Sequence, residues 1–241
     1  DHELTSTTPT VPGHAPVSAV VCVYTDRRWE LMLEAIDSLL DQRPAPAEVL
    51  VVVDHNPELA ARLRQLDRPI TVLTNQQHKG LSGARNTGVE AATSPLVAFF
   101  DDDARAEPGC LAALAAAFAD PDVLGAGGWA DAAWERGRPG WFPAEFDWVV
   151  GCSYTGLPTE PARVRNLIGC CMMIRRDVFE RVGGFDHGIG RVGTGRRRAG
   201  SGEDPPGRRP TPGPRRTQRS VPCRPWPWPR PFGDRCRCPL P

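Results

Sequence analysis

The chain has 241 residues, of which 40% are apolar, enough for one large domain with a sizeable core, and its 29 basic and 29 acidic residues leave no formal net charge. That balance hides a split, because residues 1–195 carry 17 Lys and Arg against 26 Asp and Glu while residues 196–241 carry 12 against 3, joining a mildly acidic body to a basic tail. The eight cysteines form no CxxC pair and several sit in apolar runs, which argues against structural zinc and for a reducing cytoplasm, and the longest strongly apolar run, Cys110 to Ala119, falls short of the roughly 20 residues of a spanning helix.

Residues 1–16 are polar and Pro-rich without periodicity and are expected to form a disordered leader. They hold no basic segment followed by an apolar core, so no signal peptide is expected. Ser18 to Val23 predicts a strand, and Trp29, Leu33, Ile36 and Leu40 repeat behind it at helical spacing. Val49 to Val53 predicts a second strand, Glu58 to Leu66 a helix, Ile70 to Leu73 a third strand, Ser82 to Ala92 a helix and Leu96 to Phe100 a fourth strand. This alternation implies parallel strands with crossover helices, because successive parallel strands cannot be joined by a hairpin. Pro108 is expected in the first turn of an Ala-rich helix reaching Phe118, with a strand at Val123 to Gly127 after it. Residues 129–166 read as irregular, and Trp129, Trp134, Trp141 and Trp148 within them are expected to pack in the core. Gly169 to Ile174 predicts a strand and Asp177 to Val182 a short helix stopped by Gly183-Gly184. From Pro205 onward 12 of 37 residues are proline, a density that no interior helix or central strand tolerates, so residues 205–241 are expected to be disordered or polyproline-like. So abrupt a change of composition suggests a frameshifted or truncated end.

The most informative element is Phe99-Phe100-Asp101-Asp102-Asp103, three carboxylates at the C-terminal end of a buried strand, the edge where open α/β sheets gather ligands. Adjacent carboxylates raise one another's pKa unless a cation neutralises them, and a hard divalent ion, Mg²⁺ or Mn²⁺, would suit these oxygens and a diphosphate together. The plain alternative is a solvated acidic turn. Gly80 to Gly88 opens the helix before this strand, where small residues let backbone N–H groups approach phosphate oxygens and Arg85 adds a charge. Equally, this is a Gly-rich helix start with Arg85 paired to a carboxylate. Asp54 follows the second strand at the same edge, placed either to accept from a base or ribose or to cap a helix ahead of Pro57.

Taken together, Val21-Cys22-Val23-Tyr24-Thr25, the helix ending Leu39-Leu40-Asp41-Gln42, Val51-Val52-Val53-Asp54, Gly80 to Gly88 and Phe99 to Asp103 resemble family 2 glycosyltransferases in order and spacing. Gly169 to Arg176, Gly183-Gly184-Phe185-Asp186 and Gly202-Glu203-Asp204 extend the resemblance to about residues 17–204. It implies an α/β fold of the GT-A type, a Rossmann-like and mostly parallel sheet flanked by helices, with a donor half over 17–110 and an incomplete acceptor half over 111–204. The resemblance assigns Tyr24, Thr25 and Asp54 to the nucleoside pocket, Arg85 and Asn86 to the ribose and phosphates, and Asp102 to the ribose. Asp103 with Asp101, a DXD-type pair, would hold the metal. Asp204, paired with Glu203, would be the general base that takes the proton of the attacking hydroxyl. Pro205-Pro206 follow at once, where the family continues into a helix.

The resemblance thus implies an inverting transferase moving a sugar from a nucleoside diphosphate donor to a carbohydrate or lipid-linked acceptor. It points to cytoplasmic work at the inner face of a membrane through peripheral contact, in bacterial cell-envelope polysaccharide synthesis. An alternative is a donor-binding but inactive relative without a complete acceptor site. A polyanion-binding role for the Arg/Trp/Pro tail is a third possibility, although no nucleic-acid partner is expected. A nucleotidyltransferase is disfavoured because no Gly-rich loop stands at Val23 to Arg28, and an aspartate-nucleophile phosphatase because Arg105 occupies the position where a Thr or Val is wanted.

Overall fold

The computed structural model describes residues 15–134 and 137–188, together with the backbone of four short segments beyond them, Arg191–Val192, Arg196–Arg197, Gln218–Ser220 and Cys236–Leu240. Its parallel layer consists of β1 (Val17–Val23), β2 (Glu48–Val53), β3 (Thr71–Thr74) and β4 (Leu96–Asp101). These stand in the order β3-β2-β1-β4. The chain steps outward from β1 to β3 and then returns to the other side of β1, so the topological switch falls between β1 and β4, where open sheets leave a crevice. Helices α1 (Trp29–Leu40), α2 (Pro57–Arg64) and α3 (Leu81–Ala91) make the crossovers.

Period-two alternation sorts the strand residues onto two faces. Ala19, Val21 and Val23 of β1, Val49, Val51 and Val53 of β2, and Leu96, Ala98 and Phe100 of β4 pack with Met32, Ile36 and Leu39 of α1 and with Leu59 and Leu63 of α2. Their neighbours Val20, Leu50, Val52, Val97 and Phe99 pack with Ala84 and Ala92 on the opposite side, where Phe179 and Phe185 complete the layer. Burial on both faces is what makes these strands read as continuous apolar runs. The buried stripe of α1 is Met32, Ala35, Ile36 and Leu39. Trp29 and Leu40, which helical spacing assigns to that stripe, lie only partly buried at its border.

After β4 come α4 (Cys110–Ala116), a 3-10 turn at Ala117–Ala119, β5 (Gly125–Gly127) and β6 (Ala130–Trp134). A 3-10 helix (Ala144–Val150), β7 (Ala162–Val164), β8 (Cys171–Arg175) and α5 (Arg176–Val182) follow. β8 pairs antiparallel with both β4 and β5, so the sheet is mixed beyond β4. The excursion over 128–170 brings β8 back without a crossover helix, and nothing ties its direction to that of β4.

Two expectations need correction here. Pro108 is not in the first turn of α4, because the N-cap is Gly109 at φ 81°, a left-handed backbone that favours glycine, and Pro108 sits in the turn before it. Residues 129–166 are not wholly irregular, since β6, the 3-10 helix and β7 lie there. Three- to five-residue strands with partly exposed side chains leave no legible period.

Of the basic tail, Gln218–Ser220 lies beside β5 and β7 and Cys236–Leu240 beside β6. The leader over 1–14 and the rest of 205–241 lie outside the described residues. No helix among the described residues is long and apolar enough to cross a membrane.

Candidate functional site

The C-terminal ends of β1, β2 and β4 carry Tyr24 and Thr25, Asp54, and Asp101 to Asp103, and α3 carries Arg85 and Asn86. Tyr24 and Thr25 follow β1, with Tyr24 59% exposed and its carbonyl accepting from Asn56 Nδ2 at 3.1 Å. Asn56 also caps α2, accepting from Leu59 N–H at 3.1 Å. The capping role open to Asp54 is therefore filled by its neighbour, and Asp54 is buried instead. Its Oδ1 accepts from Asn75 Nδ2 at 2.7 Å and faces His55 Nδ1 at 2.9 Å, while its Oδ2 accepts from Gly80 N–H at 2.9 Å. Asp54 thus fastens the start of α3 to the end of β2, and a negative charge near an N-terminus also suits the helix dipole.

The three aspartates after β4 diverge. Arg28, at the N-cap of α1, donates through Nη2 to Asp102 Oδ1 at 2.9 Å and through Nη1 to Asp103 Oδ2. Part of the cation that a run of carboxylates requires is therefore supplied by the chain itself. Asp102 is buried, and its second oxygen, Oδ2, has no hydrogen-bond partner. Burial pushes the Asp102 carboxyl up to about 6, with Arg28 opposing and Asp103 and Asp101 adding to the rise. Asp103 is raised for the same reason. A buried carboxylate oxygen without a partner is costly, and such groups mark places where a ligand completes the bonding.

Asp101 turns to the other side and faces Arg85 Nη2 at 3.4 Å. Arg85 also donates to Gly169 O at 2.9 Å and lies between Phe99 and Phe185, 5.9 and 5.4 Å from the ring centres. Asn86, next along α3, stands apart from this group. Its amide donates to Phe185 O at 3.0 Å and its Oδ1 accepts from Phe185 N–H at 2.7 Å, which staples the Gly183 to Asp186 segment to the helix.

Cys22, in register with Asp101 on β1, has its thiol pushed up to about 12, by burial first and then by charges of which Arg85 opposes and Asp101, Asp102 and Asp54 add. Asp101, in register with Cys22, and Arg85, which faces Asp101, thus stand at the switch between β1 and β4. Among the described residues, however, no three His, Cys, Asp or Glu side chains converge as a metal cage.

Asp103 also looks outward, into a cleft of about 670 Å³ whose walls include Glu34, Arg105, Asp131, Trp134 and Arg138. Arg138 forms a bidentate pair with Asp147 at 2.8 and 2.6 Å, donates to Phe142 O at 3.3 Å and stands 5.3 Å over the ring of Trp134. Contrary to expectation, Trp141 and Trp148 are 80% and 57% exposed. Asp147 is the buried residue of the 3-10 helix, held by Arg138, while Phe146, Trp148 and Val149 beside it are exposed. The sequence pattern does not single out Arg28, Asn75, Asp131 or Arg138. For Arg28 a signal exists, since a carboxylate run needs a cation, but Arg27 stands beside it with the same charge. The proposed pair Glu203-Asp204 lies outside the described residues.

Residues 18–183 match glycosyl transferase family 2, and the chain belongs to that family. The glucosyl-dolichyl phosphate glucuronosyltransferase of Haloferax volcanii is 37% identical over 182 residues, covering 73% of this chain and 58% of that protein. Polypeptide N-acetylgalactosaminyltransferase 18 of Mus musculus is 25% identical over 203 residues, covering 74% of this chain and 32% of its own. Among solved structures, the mannosyltransferase of Pyrobaculum calidifontis in complex with GDP-Man and Mn²⁺ superposes with a TM-score of 0.55 at 22% identity, over 77% of this chain and 51% of that one. GalNAc-T7 with UDP, GalNAc and Mn²⁺ gives 0.55 at 19% identity, over 76% and 39%. These likenesses show the GT-A fold. The chain spans 58% or less of each of these relatives.

Proposed function

We propose that the chain is a metal-dependent inverting glycosyltransferase that takes a nucleoside diphosphate sugar as donor and a hydroxyl group of a carbohydrate as acceptor. The observation that carries this reading is the placing of Asp54 and of Asp101 to Asp103 at the ends of β2 and β4, the two neighbours of β1, with Arg85 facing Asp101 and one Asp102 oxygen buried and unpartnered. A ribose hydroxyl donating to that oxygen would relieve its isolation. Tyr24 and Thr25 then border the nucleoside, with Asp54 holding the glycine-rich start of α3 toward it. Arg85 and Arg28 place positive charge beside the diphosphate, and Asn86 keeps the Phe185 segment against the same helix.

The residues fit a divalent ion of the Mg²⁺ or Mn²⁺ kind, which ordinarily takes one or two carboxylates and completes its shell with substrate phosphates and water. Asp103 would hold it, and Asp101 would join it by turning from Arg85, which it faces in the free chain. Such an ion supplies Lewis-acid stabilisation of the charge that builds on a leaving nucleoside diphosphate. Asp204, beside Glu203, is the proposed base for the acceptor hydroxyl, and attack opposite the leaving group inverts the anomeric centre. Work at the inner face of the bacterial membrane, in cell-envelope polysaccharide synthesis, belongs to the same proposal.

A thermal-shift series of UDP, GDP and dTDP, with and without Mn²⁺, tests the donor reading, since a bound ligand raises the melting temperature by mass action. At least one nucleotide is expected to stabilise the chain only with the metal, and no Mn²⁺-dependent shift with any of them would overturn the assignment. Pro205-Pro206, directly after Asp204, favour a second reading in which the donor binds but is not used. Nucleoside diphosphate release in the presence of acceptor glycosides supports the enzyme, and tight binding without release supports the second reading.

A further inference from the structure

We infer that Arg28 is an exchangeable counter-ion: it holds Asp102 and Asp103 in the free chain and passes to the donor's diphosphate when a divalent ion takes Asp103, so that metal and donor bind as a unit. The inference rests on the donor reading above and deepens it by naming the group that couples the two ligands.

Two arginines answer the three aspartates after β4, and they are held differently. The Arg85 side chain is 12% exposed, faces Asp101, donates to Gly169 O at 2.9 Å and lies between the rings of Phe99 and Phe185. Leaving would cost it a carbonyl bond and two ring contacts. The Arg28 side chain is 34% exposed, and among the described residues its guanidinium bonds only Asp102 Oδ1 and Asp103 Oδ2. It gives one nitrogen to each carboxylate and so lacks the two parallel bonds that make an arginine pair strong. At the N-cap of α1 its side chain makes no capping bond, so its departure leaves the helix start intact.

A guanidinium and a divalent ion on one carboxylate repel, so Arg28 must yield Asp103 to such an ion. Formal charge decides where it goes. Three carboxylates against two guanidiniums leave one negative charge in excess. A divalent ion alone would reverse that sign and a diphosphate alone would deepen it, whereas the two together leave it nearly as it was. Arg28 stands on the turn between β1 and α1 that also carries Tyr24 and Thr25. Once released, its guanidinium is the charge-assisted donor at hand for a phosphate oxygen. A residue that opposes the metal alone and favours it beside a diphosphate raises the affinity of each ligand in the presence of the other.

The test is isothermal titration of the full chain at pH 8 with Mn²⁺ alone, and then with UDP, GDP or dTDP at saturating Mn²⁺. Arg28→Gln is expected to bind Mn²⁺ alone about tenfold more tightly than the parent, the scale of one charge-assisted hydrogen bond that no longer has to be displaced. The same variant should bind nucleotide in its Mn²⁺-loaded form about tenfold less tightly. A local loss of structure would weaken both and would not produce these opposite signs. Arg27 is exposed beside it and has no carboxylate partner among the described residues, so Arg27→Gln should change Mn²⁺ affinity by less than about twofold. Should Arg28→Gln fail to fold, Arg28→Lys, which keeps the charge but cannot span both carboxylates, decides by the sign of the Mn²⁺ change. Unchanged or weaker Mn²⁺ binding in Arg28→Gln, an equal gain in Arg27→Gln, or unchanged nucleotide affinity would overturn the proposal. Failure of the donor reading shows separately, as a lack of Mn²⁺-dependent nucleotide binding in the parent chain. A parent and an Arg28→Gln variant that couple the two ligands alike would strike the role of Arg28 alone.

Discussion

The two sides of this sheet, β1 to β4 proposed for the donor and β5 to β8 for the acceptor, are held by different forces. In β1, β2 and β4 the strand residues are buried on both faces, and Tyr24, Asp54 and Asp101 to Asp103 extend from strand ends whose positions are set by backbone pairing. From β5 onward the strands shorten to three to five residues, and side chains carry the structure. Arg138 grips Asp147 there, and Arg175 donates to the carbonyls of Phe118 and Val123, both at 2.8 Å. A wall made of side-chain contacts is altered by single substitutions without disturbing the sheet. A wall made of strand ends is not, which suits a nucleotide that stays the same while acceptors differ.

Asp103 belongs to both sides, as a partner of Arg28 and as part of the cleft, and should give the largest effect. Asp103→Asn is expected to lower kcat/KM by about 100-fold or more, the scale on which removal of one preorganised electrostatic group acts. Mn²⁺-dependent nucleotide affinity should fall with it. A variant that kept that affinity would place the metal elsewhere and dissolve the boundary just drawn.

Matched glycine substitutions sharpen the contrast in rigidity. A Cβ on Gly83 would stand 2.1 Å from the backbone carbonyl oxygen of His78, so α3 must shift as a unit, and Gly83→Ala should cost roughly 2–4 kcal/mol in urea denaturation. On Gly125 the nearest atom is the Leu167 Cδ1 methyl at 3.2 Å, which can rotate away, and Gly125→Ala should cost below about 1 kcal/mol. Equal costs would mean that the two sides yield alike.

Arg138→Gln should act on the acceptor side alone. Losing the bidentate pair frees Asp147 and the 3-10 helix it anchors, so the acceptor KM is expected to rise by roughly tenfold, the effect of about one lost charge-assisted hydrogen bond. Nucleotide affinity should stay within about twofold. An equal loss of both would show that the cleft wall also supports the donor edge.

The same division decides what could be read in advance. β1, β2 and β4 are legible as apolar runs because burial on both faces leaves no polar position inside them, and Asp101 to Asp103 stand out by ending such a run. Asp54 is legible by position but its partners are not, since Asn75 and Gly80 N–H reach it through the turn into α3, which no spacing announces. Arg28 meets Asp103 across 75 positions, and its neighbour Arg27 has the same side chain. Trp141 and Trp148 are misplaced by pattern alone because tryptophan is usually shielded, and nothing in the spacing marks Asp147 as the residue of the 3-10 helix that is buried instead. Family resemblance supplied the proposed roles of Asp54 and of Asp101 to Asp103. Their bonding came only from the fold.

A last effect concerns the cost of the proposed donor edge when no ligand is bound. The Asp102 carboxyl sits at about 6 in the folded chain against an ordinary value of 3.8, chiefly because it is buried, so between these values the folded state binds its proton more firmly than the unfolded chain does. Stability from this group is therefore fully present below about pH 4, is lost as pH rises toward 6, and does not return above that. Asp102→Asn keeps the shape and removes the charge. In EDTA and without nucleotide it should exceed the parent chain in stability at pH 8 by on the order of 1–3 kcal/mol, since each tenfold change in proton affinity is worth about 1.4 kcal/mol, with the gain fading between pH 6 and 4. A variant less stable than its parent at pH 8 would mean that attraction to Arg28 outweighs burial, and the donor edge would then be as relaxed as the acceptor wall. A gain at pH 8 together with lost nucleotide binding would show an edge held at a cost in the free chain and made good only when the second Asp102 oxygen finds a partner.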